Sequence, residues 1–582
     1  MRILLIASAV NSLTQRVFAE LGEAGHTVAV ELALGEESLR EAVRRYAPEL
    51  VLAPMLTTAI PRDVWSAYTC LVVHPGPVGD RGPSSLDWAI HEGAREWGVT
   101  VLQADAEMDA GDVWASVPCA LPSVGKSDLY RGEIGDAAVE AVLLAVRRLT
   151  SGRYLPRPQG GDDRGGTRRT RPYFDQSLRR IDWASDTGET VLRTLRAADS
   201  QPGVLDVIAG DEWYLHGGGA EDTLRGRPGE ILATRAGAIC RATVDGAVWI
   251  PELRPRRQKG GPATFKLPAT LALGERLPPV PELPAPLRCP GHRRTWTDIR
   301  YLEDGPVGFL HFSFPSGAMS TERCARLLSA YRFACSRPTR VLVLGGGRDF
   351  FSNGIHLSVI EAAADPAEES WANINAVDDL VEAVLTTIDR LVVAALGGNA
   401  AAGGAMLALA ADEVWCRSGA LLNPHYRLMG LYGSEYWTYT LPRRVGPGQA
   451  ERLMRRALPV TAAGALGLGL VDRVITCAPG NFGAEAARLA AHIATASPVQ
   501  RRVEAKKAVR ERDEAVKPLA AHRAEELAHM RRSFFDPDAP YHVLRADFVR
   551  KRRPRCTPAH LRDAALHVGP RAAAHGQPPA GR

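Results

Sequence analysis

The sequence has few of the features that mark metal, redox and membrane proteins. None of its nine cysteines lies in a C-x-x-C spacing, so neither a zinc ribbon nor a dithiol motif is indicated. It contains no run of 18 or more apolar residues, and no cleavage site follows its short apolar start. A net charge of +5 is too small for this length to indicate nucleic acid as a partner. We therefore expect a cytoplasmic protein that acts on small molecules, without a metal, a membrane or a nucleic acid.

The remaining composition, 45% hydrophobic and 24% charged, is that of a globular chain with three or four domains. Strand and helix patterns alternate near both ends of the chain, which predicts a multidomain α/β fold with mostly parallel sheets. The predicted regions are a Rossmann-like domain over 1–156, a Gly-rich linker over 157–172, a small β-rich, OB-like module over 173–276, a Pro-rich linker over 277–296, a second α/β domain over 297–500, helices over 501–567 and a disordered tail over 568–582.

A histidine ends one of the predicted strands. His74 closes the apolar run CLVVH and opens a loop rich in Gly, Pro and Asp. Asp109 follows the next strand pattern, so we expect it at the same edge of the sheet, where ligands bind in α/β folds. A histidine oriented by a carboxylate is a common general-base arrangement. The residues alone leave open a second interpretation, in which His74 caps the loop and Asp109 holds a turn.

The stretches HPGPVGDRGPSSLDWAI and WGVTVLQADAEMDAGDVW resemble the core of the folate-dependent formyltransferases. The resemblance covers residues 1 to about 280, because that family also carries a β-rich C-terminal module. It implies that 10-formyltetrahydrofolate is the formyl donor, that His74 is the base or proton shuttle, and that Asp109 orients it. The matching loop is expected to contact substrate through Arg81, Gly82, Ser84 and Ser85. On position alone, the stretch 52–61 is a candidate for the pterin, through Ala53, Pro54 and Met55.

One position departs from the formyltransferase pattern. Val72 stands where that family has an asparagine whose amide stabilises the oxyanion. Loss of one such donor costs about 10²–10³ in rate. Catalysis is then abandoned, or another donor replaces the amide, or the formyl acceptor is easier than an amine. A thiol fits the last alternative, because its reference pKa is about 8.5 and a thiolate needs little help from a base.

The stretches FFSNGIHL and ALGGNAAAGGAMLALAADEVW resemble the oxyanion-hole segments of the crotonase superfamily, to which enoyl-CoA hydratases and isomerases belong. The resemblance covers about 300–500 and implies that backbone N–H groups of Ile355 and Gly403 bind a thioester carbonyl, with Gly404 beside them. The two hydratase carboxylates are absent, because Met406 and His425 occupy their positions. We therefore expect an acyl-CoA to bind without being hydrated.

Other side chains of the second half are candidates to replace those carboxylates. The stretch NPHYRLMGLYGSEYWTYTLP contains Tyr426 and Glu435, and a carboxylate in apolar surroundings is costly without a role or a partner. Glu435 is predicted as a base and Tyr426 as a proton donor, with His425 as a further catalytic candidate. For each tyrosine in this stretch, core packing is the competing interpretation.

The fusion of the two halves resembles a family of hydrogenase-maturation proteins over nearly the whole chain. The resemblance implies production of CO for the Fe(CN)₂CO centre of [NiFe]-hydrogenase: formyl transfer from 10-formyltetrahydrofolate to CoA, then decarbonylation of formyl-CoA. It also implies maturation proteins as possible recipients of the CO. Two alternatives stay open: an enzyme that stops at formyl-CoA or hydrolyses it, and a degenerate scaffold that binds folate and CoA.

Overall fold

Buried strands alternate with amphipathic helices in the first part of the computed structural model, which describes residues 1–159, 169–496 and 498–562. Helix α1 illustrates the local logic: Asn11 caps it by accepting the Thr14 N–H, and Leu13, Val17 and Leu21 form its buried stripe. The elements are β1 (Arg2–Ala7), α1 (Ser12–Glu23), β2 (Thr27–Leu32), α2 (Glu36–Tyr46), β3 (Leu50–Met55), α3 (Arg62–Ala67), β4 (Cys70–His74), β5 (Asp80–Arg81), α4 (Ser85–His91), β6 (Glu96–Gln103), β7 (Val113–Ala120), α5 (Lys126–Arg131) and α6 (Glu133–Ser151).

The first sheet has the order β2-β1-β3-β4-β6-β7. Its first four strands are parallel, as predicted, but β6 runs antiparallel to β4 and β7 antiparallel to β6. The expectation of a mostly parallel sheet is wrong for this edge, because residues 104–112 join β6 and β7 without a crossover helix. β6 therefore ends beside the start of β4, where Gln103 pairs with Leu71, and the expectation that the two strands end at the same edge is wrong. The loop after β6 folds back along β4 and brings Asp109 to His74.

The β-rich region consists of two four-stranded antiparallel sheets, β16-β15-β10-β9 and β11-β14-β13-β12. One helix packs on them through Val191, Leu192 and Leu195. Its elements are β8 (Arg169–Thr170), α7 (Gly188–Ala198), β9 (Val204–Ile208), β10 (Asp211–His216), β11 (Gly219–Glu221), β12 (Ile231–Arg235), β13 (Ala238–Ala242), β14 (Ala247–Ile250), β15 (Glu252–Pro255), β16 (Leu267–Pro268) and α8 (Ala269–Leu273).

The predicted linker over 157–172 contributes structure at both of its described ends, although its middle lies outside the described residues. Strand β8 pairs with β5, and the Gln159 side chain donates to the carbonyl groups of Asp109 and Gly111. The segment therefore holds two loops of the first domain, in addition to connecting that domain to the β-rich region.

The second half is built on the sheet β17-β18-β19-β21-β23-β26 and on the smaller sheet β20-β22-β24-β25. Its elements are β17 (Ile299–Asp304), β18 (Val307–Phe312), α9 (Thr321–Cys335), β19 (Val341–Gly345), β20 (Phe350–Ser352), α10 (Leu357–Ala362), α11 (Pro366–Leu385), β21 (Leu391–Leu396), β22 (Asn399–Ala401), α12 (Gly403–Leu409), β23 (Glu413–Arg417), β24 (Leu421–Asn423), α13 (Trp437–Val445), α14 (Pro447–Arg456), β25 (Val460–Thr461), α15 (Ala462–Leu468), β26 (Arg473–Ile475) and α16 (Phe482–Thr495).

Helices complete the described chain, as predicted from about residue 495 onward. They are α17 (Val499–Val516), α18 (Leu519–Phe535), α19 (Pro540–Val549) and α20 (Ala559–Arg562). The segment around α20 returns to the first sheet, where Leu561 is buried and the Thr557 hydroxyl accepts the Leu32 N–H at 2.9 Å. The predicted tail over 568–582 lies outside the described residues. Across 1–159, 169–496 and 498–562, no helix has both the length and the apolar character to cross a membrane.

Ion pairs join the two halves directly. Arg348 donates to Glu133 of α6 at 2.6 Å, and the buried Arg417 donates to Asp136 of the same helix at 2.8 Å. Arg131 lies 4.2 Å over the ring of Phe350, next to an ion pair with Asp349. The ends of α5 and α6 therefore lie against the second half, close to the strand β20 that precedes the predicted oxyanion segment.

Candidate functional site

His74 lies between two carboxylates at the end of β4. Its Nε2 is 3.0 Å from Asp80 Oδ2 and its Nδ1 is 3.4 Å from Asp109 Oδ1. The ring is buried, and burial alone lowers its pKa, but hydrogen bonds and charge from Asp109 and Asp80 raise the pKa of His74 to about 9. The structure thus brings together the predicted pair, His74 and Asp109, and adds Asp80. The ring is an imidazolium at neutral pH.

The loop around His74 is shaped by two glycines. A Cβ on Gly76 would lie 2.5 Å from both Asp80 Oδ2 and His74 Nε2, so no side chain fits there. Gly82, at φ +119, donates its N–H to Asp109 Oδ2 at 3.3 Å. Arg81, a predicted substrate contact, is paired with the exposed Glu107 at 2.7 Å.

Two of the predicted substrate contacts have partners within the protein. Ser84 Oγ accepts the Phe174 N–H at 3.1 Å, and Ser85 Oγ donates to the Pro75 carbonyl at 2.8 Å. Both serines are buried, so in this structure their hydroxyl groups brace the loop. Their role toward substrate stays a prediction.

The predicted pterin residues Ala53, Pro54 and Met55 belong to the last half of β3. Ala53 pairs with Val72 on the neighbouring strand, so this stretch lies beside the position that lacks the family asparagine. Ala53 is fully buried, whereas Met55 at the strand end is partly exposed. The pterin assignment therefore stays a prediction, with the strand end as its accessible part.

The predicted oxyanion segments lie against each other in the second half. A Cβ on Gly354 would lie 3.0 Å from the Gly403 nitrogen, so residues 354–355 run beside the start of α12. Gly404 also lies against backbone, because a Cβ on Gly404 would lie 2.1 Å from the Ser352 carbonyl oxygen. These close approaches explain the glycines, and they bring together the predicted pair Ile355 and Gly403.

Glu435 completes this second site. A Cβ on Gly403 would lie 2.1 Å from Glu435 Oε1, so the carboxyl group covers the glycine. Glu435 Oε2 accepts the Tyr426 hydroxyl at 2.8 Å and the Ser434 N–H at 3.0 Å. Burial, with the charge of Asp378 added, raises the pKa of Glu435. The structure therefore brings the two predicted catalytic side chains into contact, beside the predicted oxyanion hole.

His425 is oriented differently. Its Nδ1 lies 3.0 Å from the Asn423 carbonyl oxygen, to which it donates, and burial lowers the pKa of its ring. The ring is therefore neutral, with Nε2 as its acceptor nitrogen. Met406 is fully buried in α12, so the position of one hydratase carboxylate is apolar.

Three buried carboxylates that contact these sites were not predicted. Asp80 lies only six positions from His74, but nothing in the loop pattern marks it. Asp378 on α11 and Glu526 on α18 surround the backbone of residues 434–438. Acidic residues on helices usually face solvent, so the sequence positions of Asp378 and Glu526 did not mark them as site residues. In the described ranges, no group of three or more His, Cys, Asp and Glu side chains is arranged to hold a metal ion.

Three family models match the chain in the order in which its structural regions occur. They are "Formyl transferase" over residues 2–140, "Formyl transferase, C-terminal domain" over 174–264 and "Enoyl-CoA hydratase/isomerase" over 315–555. The hydrogenase maturation factor HoxX of Bradyrhizobium diazoefficiens is 48% identical over 555 residues, covering 95% of each chain. The chain belongs to the HypX/HoxX family of hydrogenase maturation factors.

Solved structures of the HypX/HoxX family agree with this assignment. The crystal structure of HypX from Aquifex aeolicus in complex with tetrahydrofolic acid matches with a TM-score of 0.93 and 42% identity, covering 98% of this chain and all of that one. The methionyl-tRNA formyltransferase of Geobacillus thermodenitrificans is 26% identical over 224 residues, which is 38% of this chain and 69% of that enzyme. The predicted family and the predicted fold class, formyltransferase and crotonase-like α/β domains with C-terminal helices, are confirmed.

Proposed function

We propose that this HypX/HoxX family member makes CO for the Fe(CN)₂CO centre of [NiFe]-hydrogenase in two steps. At the His74 site a formyl group passes from 10-formyltetrahydrofolate to the thiol of CoA. At the Glu435 site formyl-CoA is split into CO and CoA. The observation that carries the proposal is the buried Glu435 carboxyl group, which lies against Gly403 and accepts the Tyr426 hydroxyl at 2.8 Å.

In the first step the thiol sulfur attacks the formyl carbon, and the C–N bond to the folate breaks as N10 takes a proton. Of the two roles that the resemblance implies for His74, base or proton shuttle, we assign the proton donor of a shuttle, because both of its ring nitrogens face carboxylates. Its positive charge stabilises the tetrahedral oxyanion in place of the amide missing at Val72. The partly exposed Asp109 accepts the thiol proton.

Two observations support 10-formyltetrahydrofolate and CoA as the substrates. The Aquifex relative was crystallised with tetrahydrofolic acid, and it matches this chain over the whole formyltransferase half. Cations from separate regions lie near one another: the charge of Lys266 interacts with those of Arg131 and Lys551. Lys266 is paired with Glu252 at 3.0 Å and Arg131 with Asp349 at 3.4 Å, so part of this charge is neutralised within the protein. Cationic side chains suit the phosphate groups of CoA.

In the second step the formyl C–H bond breaks and its proton passes to Glu435. The C–S bond then breaks with its electron pair on sulfur, the remaining carbon and oxygen leave as CO, and the thiolate takes a proton from Tyr426. The conversion of formyl-CoA into CO and CoA needs no oxidant or reductant. Backbone N–H groups of Ile355 and Gly403 polarise the formyl oxygen. A formyl group has no α-carbon, so the enolate chemistry of crotonases is impossible, in agreement with Met406 and His425 replacing the hydratase carboxylates.

The test is to supply the purified protein with 10-formyltetrahydrofolate and CoA and to trap CO with haemoglobin. Release of CO that is lost in His74→Ala supports the proposal. Formate without CO indicates a transferase and hydrolase. Absence of formyl-CoA indicates a binding scaffold, and either of these two results overturns the proposal.

A further inference from the structure

Glu435 lies in a backbone turn whose left-handed conformation is rare for residues other than glycine. Glu435 has φ 60 and the next residue, Tyr436, has φ 59, so two consecutive residues with side chains are in the left-handed region. That region is sparsely populated by residues other than Gly, Asn and Asp, and it persists only where surrounding contacts fix it. The contacts that hold this turn therefore indicate what it does.

Asp378, from the middle of α11, holds the first half of the turn. Its two carboxylate oxygens accept the Ser434 hydroxyl at 2.9 and 2.8 Å, and Oδ1 also accepts the Glu435 N–H at 2.9 Å. The side chain is fully buried. A buried carboxylate is costly unless its oxygens are satisfied, and here both donors, the Ser434 hydroxyl and the Glu435 N–H, come from residues 434–435.

Glu526, from α18, holds the second half of the turn. Its Oε2 accepts the Tyr436 N–H at 2.8 Å, and its Oε1 accepts the N–H and the hydroxyl of Thr438 at 2.8 and 2.5 Å. It is also fully buried. Two carboxylates from different helices thus bind successive N–H groups of the same short segment, on either side of the Glu435 side chain.

We propose that Asp378 and Glu526 are positioning residues for the decarbonylation step: they hold the turn 434–438 so that the Glu435 carboxyl group faces Gly403 and Tyr426. The inference rests on the proposed function, in which Glu435 takes the formyl proton. Proton transfer gains rate when the acceptor is more basic, and removal of a formyl C–H proton needs a strong base.

The groups around Glu435 are mostly acidic, and burial raises the pKa of Asp378 and of Glu526 as well as that of Glu435. Tyr426, Asp378, Glu526 and the thiol of Cys324 on α9 interact with Glu435. Arg523 of α18 is a cation beside this group: its Nε lies 3.8 Å from Asp378 Oδ2, and its other nitrogens bind Asp379 and Glu382. Burial is the largest cause that raises the pKa of Glu435, and Asp378 is the largest charge that raises it further.

The test uses Asp378→Asn and Glu526→Gln, which remove the charge. Asp378→Asn keeps the one oxygen that accepts from both Ser434 and Glu435, whereas Glu526→Gln also loses one of its two acceptor oxygens for the turn. With formyl-CoA as substrate, and at a pH above the midpoints of all the proteins compared, both are expected to lower kcat for CO release by about tenfold at unchanged KM, because a weaker base slows proton transfer. The pH midpoint of kcat is expected to move to lower pH than in the wild type. Asp378→Ala, which also releases the turn, is expected to lose on the order of 10² in kcat.

A matched control is Asp365→Asn, which changes the N-cap carboxylate of the same helix α11. It is expected to retain the wild-type rate and pH profile. Infrared titration of the Glu435 carboxyl band, assigned by its loss in Glu435→Gln, reports protonation without turnover, so it separates this inference from the proposed function. A lower titration midpoint in Asp378→Asn supports the inference. Wild-type midpoints and kcat in both charge-removing variants would overturn it, whether or not the wild type releases CO.

Discussion

Nε2 of His74 lies 3.0 Å from Oδ2 of Asp80, and both side chains are 4% exposed. This contact determines the charge of the first site, because Asp109 already faces the other ring nitrogen. A histidine with one carboxylate partner can still accept a proton at its free nitrogen. With two such partners the protonated ring is favoured, and we propose that His74 acts as a cation until it gives a proton to N10 of the folate.

Replacing Asp80 tests this assignment. In Asp80→Asn the His74 pKa is expected to fall, and formyl-CoA formation at neutral pH should drop by about 10–100-fold because the proton donor is no longer charged. NMR titration of the His74 ring and the initial rate of formyl-CoA formation measure the two effects. Glu107→Gln, which removes an exposed carboxylate paired with Arg81, is the control and should change neither quantity. An unchanged His74 pKa in Asp80→Asn would contradict the assignment.

The same ion pair makes stability depend on pH. The pKa of His74 is raised from 6.5 to about 9 in the folded protein. Its contribution is therefore fully present below the unfolded value of 6.5 and is lost as pH rises through 9, by at most about 3 kcal/mol. Urea unfolding of the wild type and His74→Gln, compared across this range, measures it. The two curves should converge at high pH, and a constant difference between them would count against the raised pKa.

Gly403 is expected to tolerate no side chain. In Gly403→Ala the new methyl group would meet Glu435 Oε1 at 2.1 Å, which displaces the carboxyl group or the start of α12. We expect CO release from formyl-CoA to fall by at least about 10² because the reacting groups are misplaced, while formyl-CoA formation persists. Gly467→Ala, in a helix with open space around the glycine, is the matched control for both rates. Equal loss of both half-reactions would point to unfolding and against a local effect.

Much of the first site could be predicted from the sequence, because its parts are local. His74 ends an apolar strand and Asp109 follows the next strand pattern, so both could be marked as candidates. The reason for their meeting is different from the one expected, because β4 and β6 are antiparallel and the loop that carries Asp109 folds back, held by Gly82 and Gln159. Asp80 could not be found this way. Its position depends on β5 pairing with β8, and that strand lies at the end of a segment that looks like a linker.

The second site was also predictable from the sequence only in part. The glycines 354, 403 and 404 and the pair Tyr426 and Glu435 belong to two recognisable stretches. Asp378 and Glu526 lie on long helices where acidic residues usually face solvent, and only packing of α11 and α18 against the turn shows that these two are buried. The antiparallel edge of the first sheet was missed for a related reason, since strand patterns do not encode direction.

The central claim is that Glu435 removes the formyl proton. It is tested most directly by giving formyl-CoA to the wild type and to Glu435→Gln and measuring CO with haemoglobin, together with formate. We expect CO and free CoA in equal amounts from the wild type, and a rate lower by about 10³ or more in Glu435→Gln, whose amide cannot accept the proton. Equal rates of CO release from the two proteins, or formate as the only product of the wild type, would contradict it.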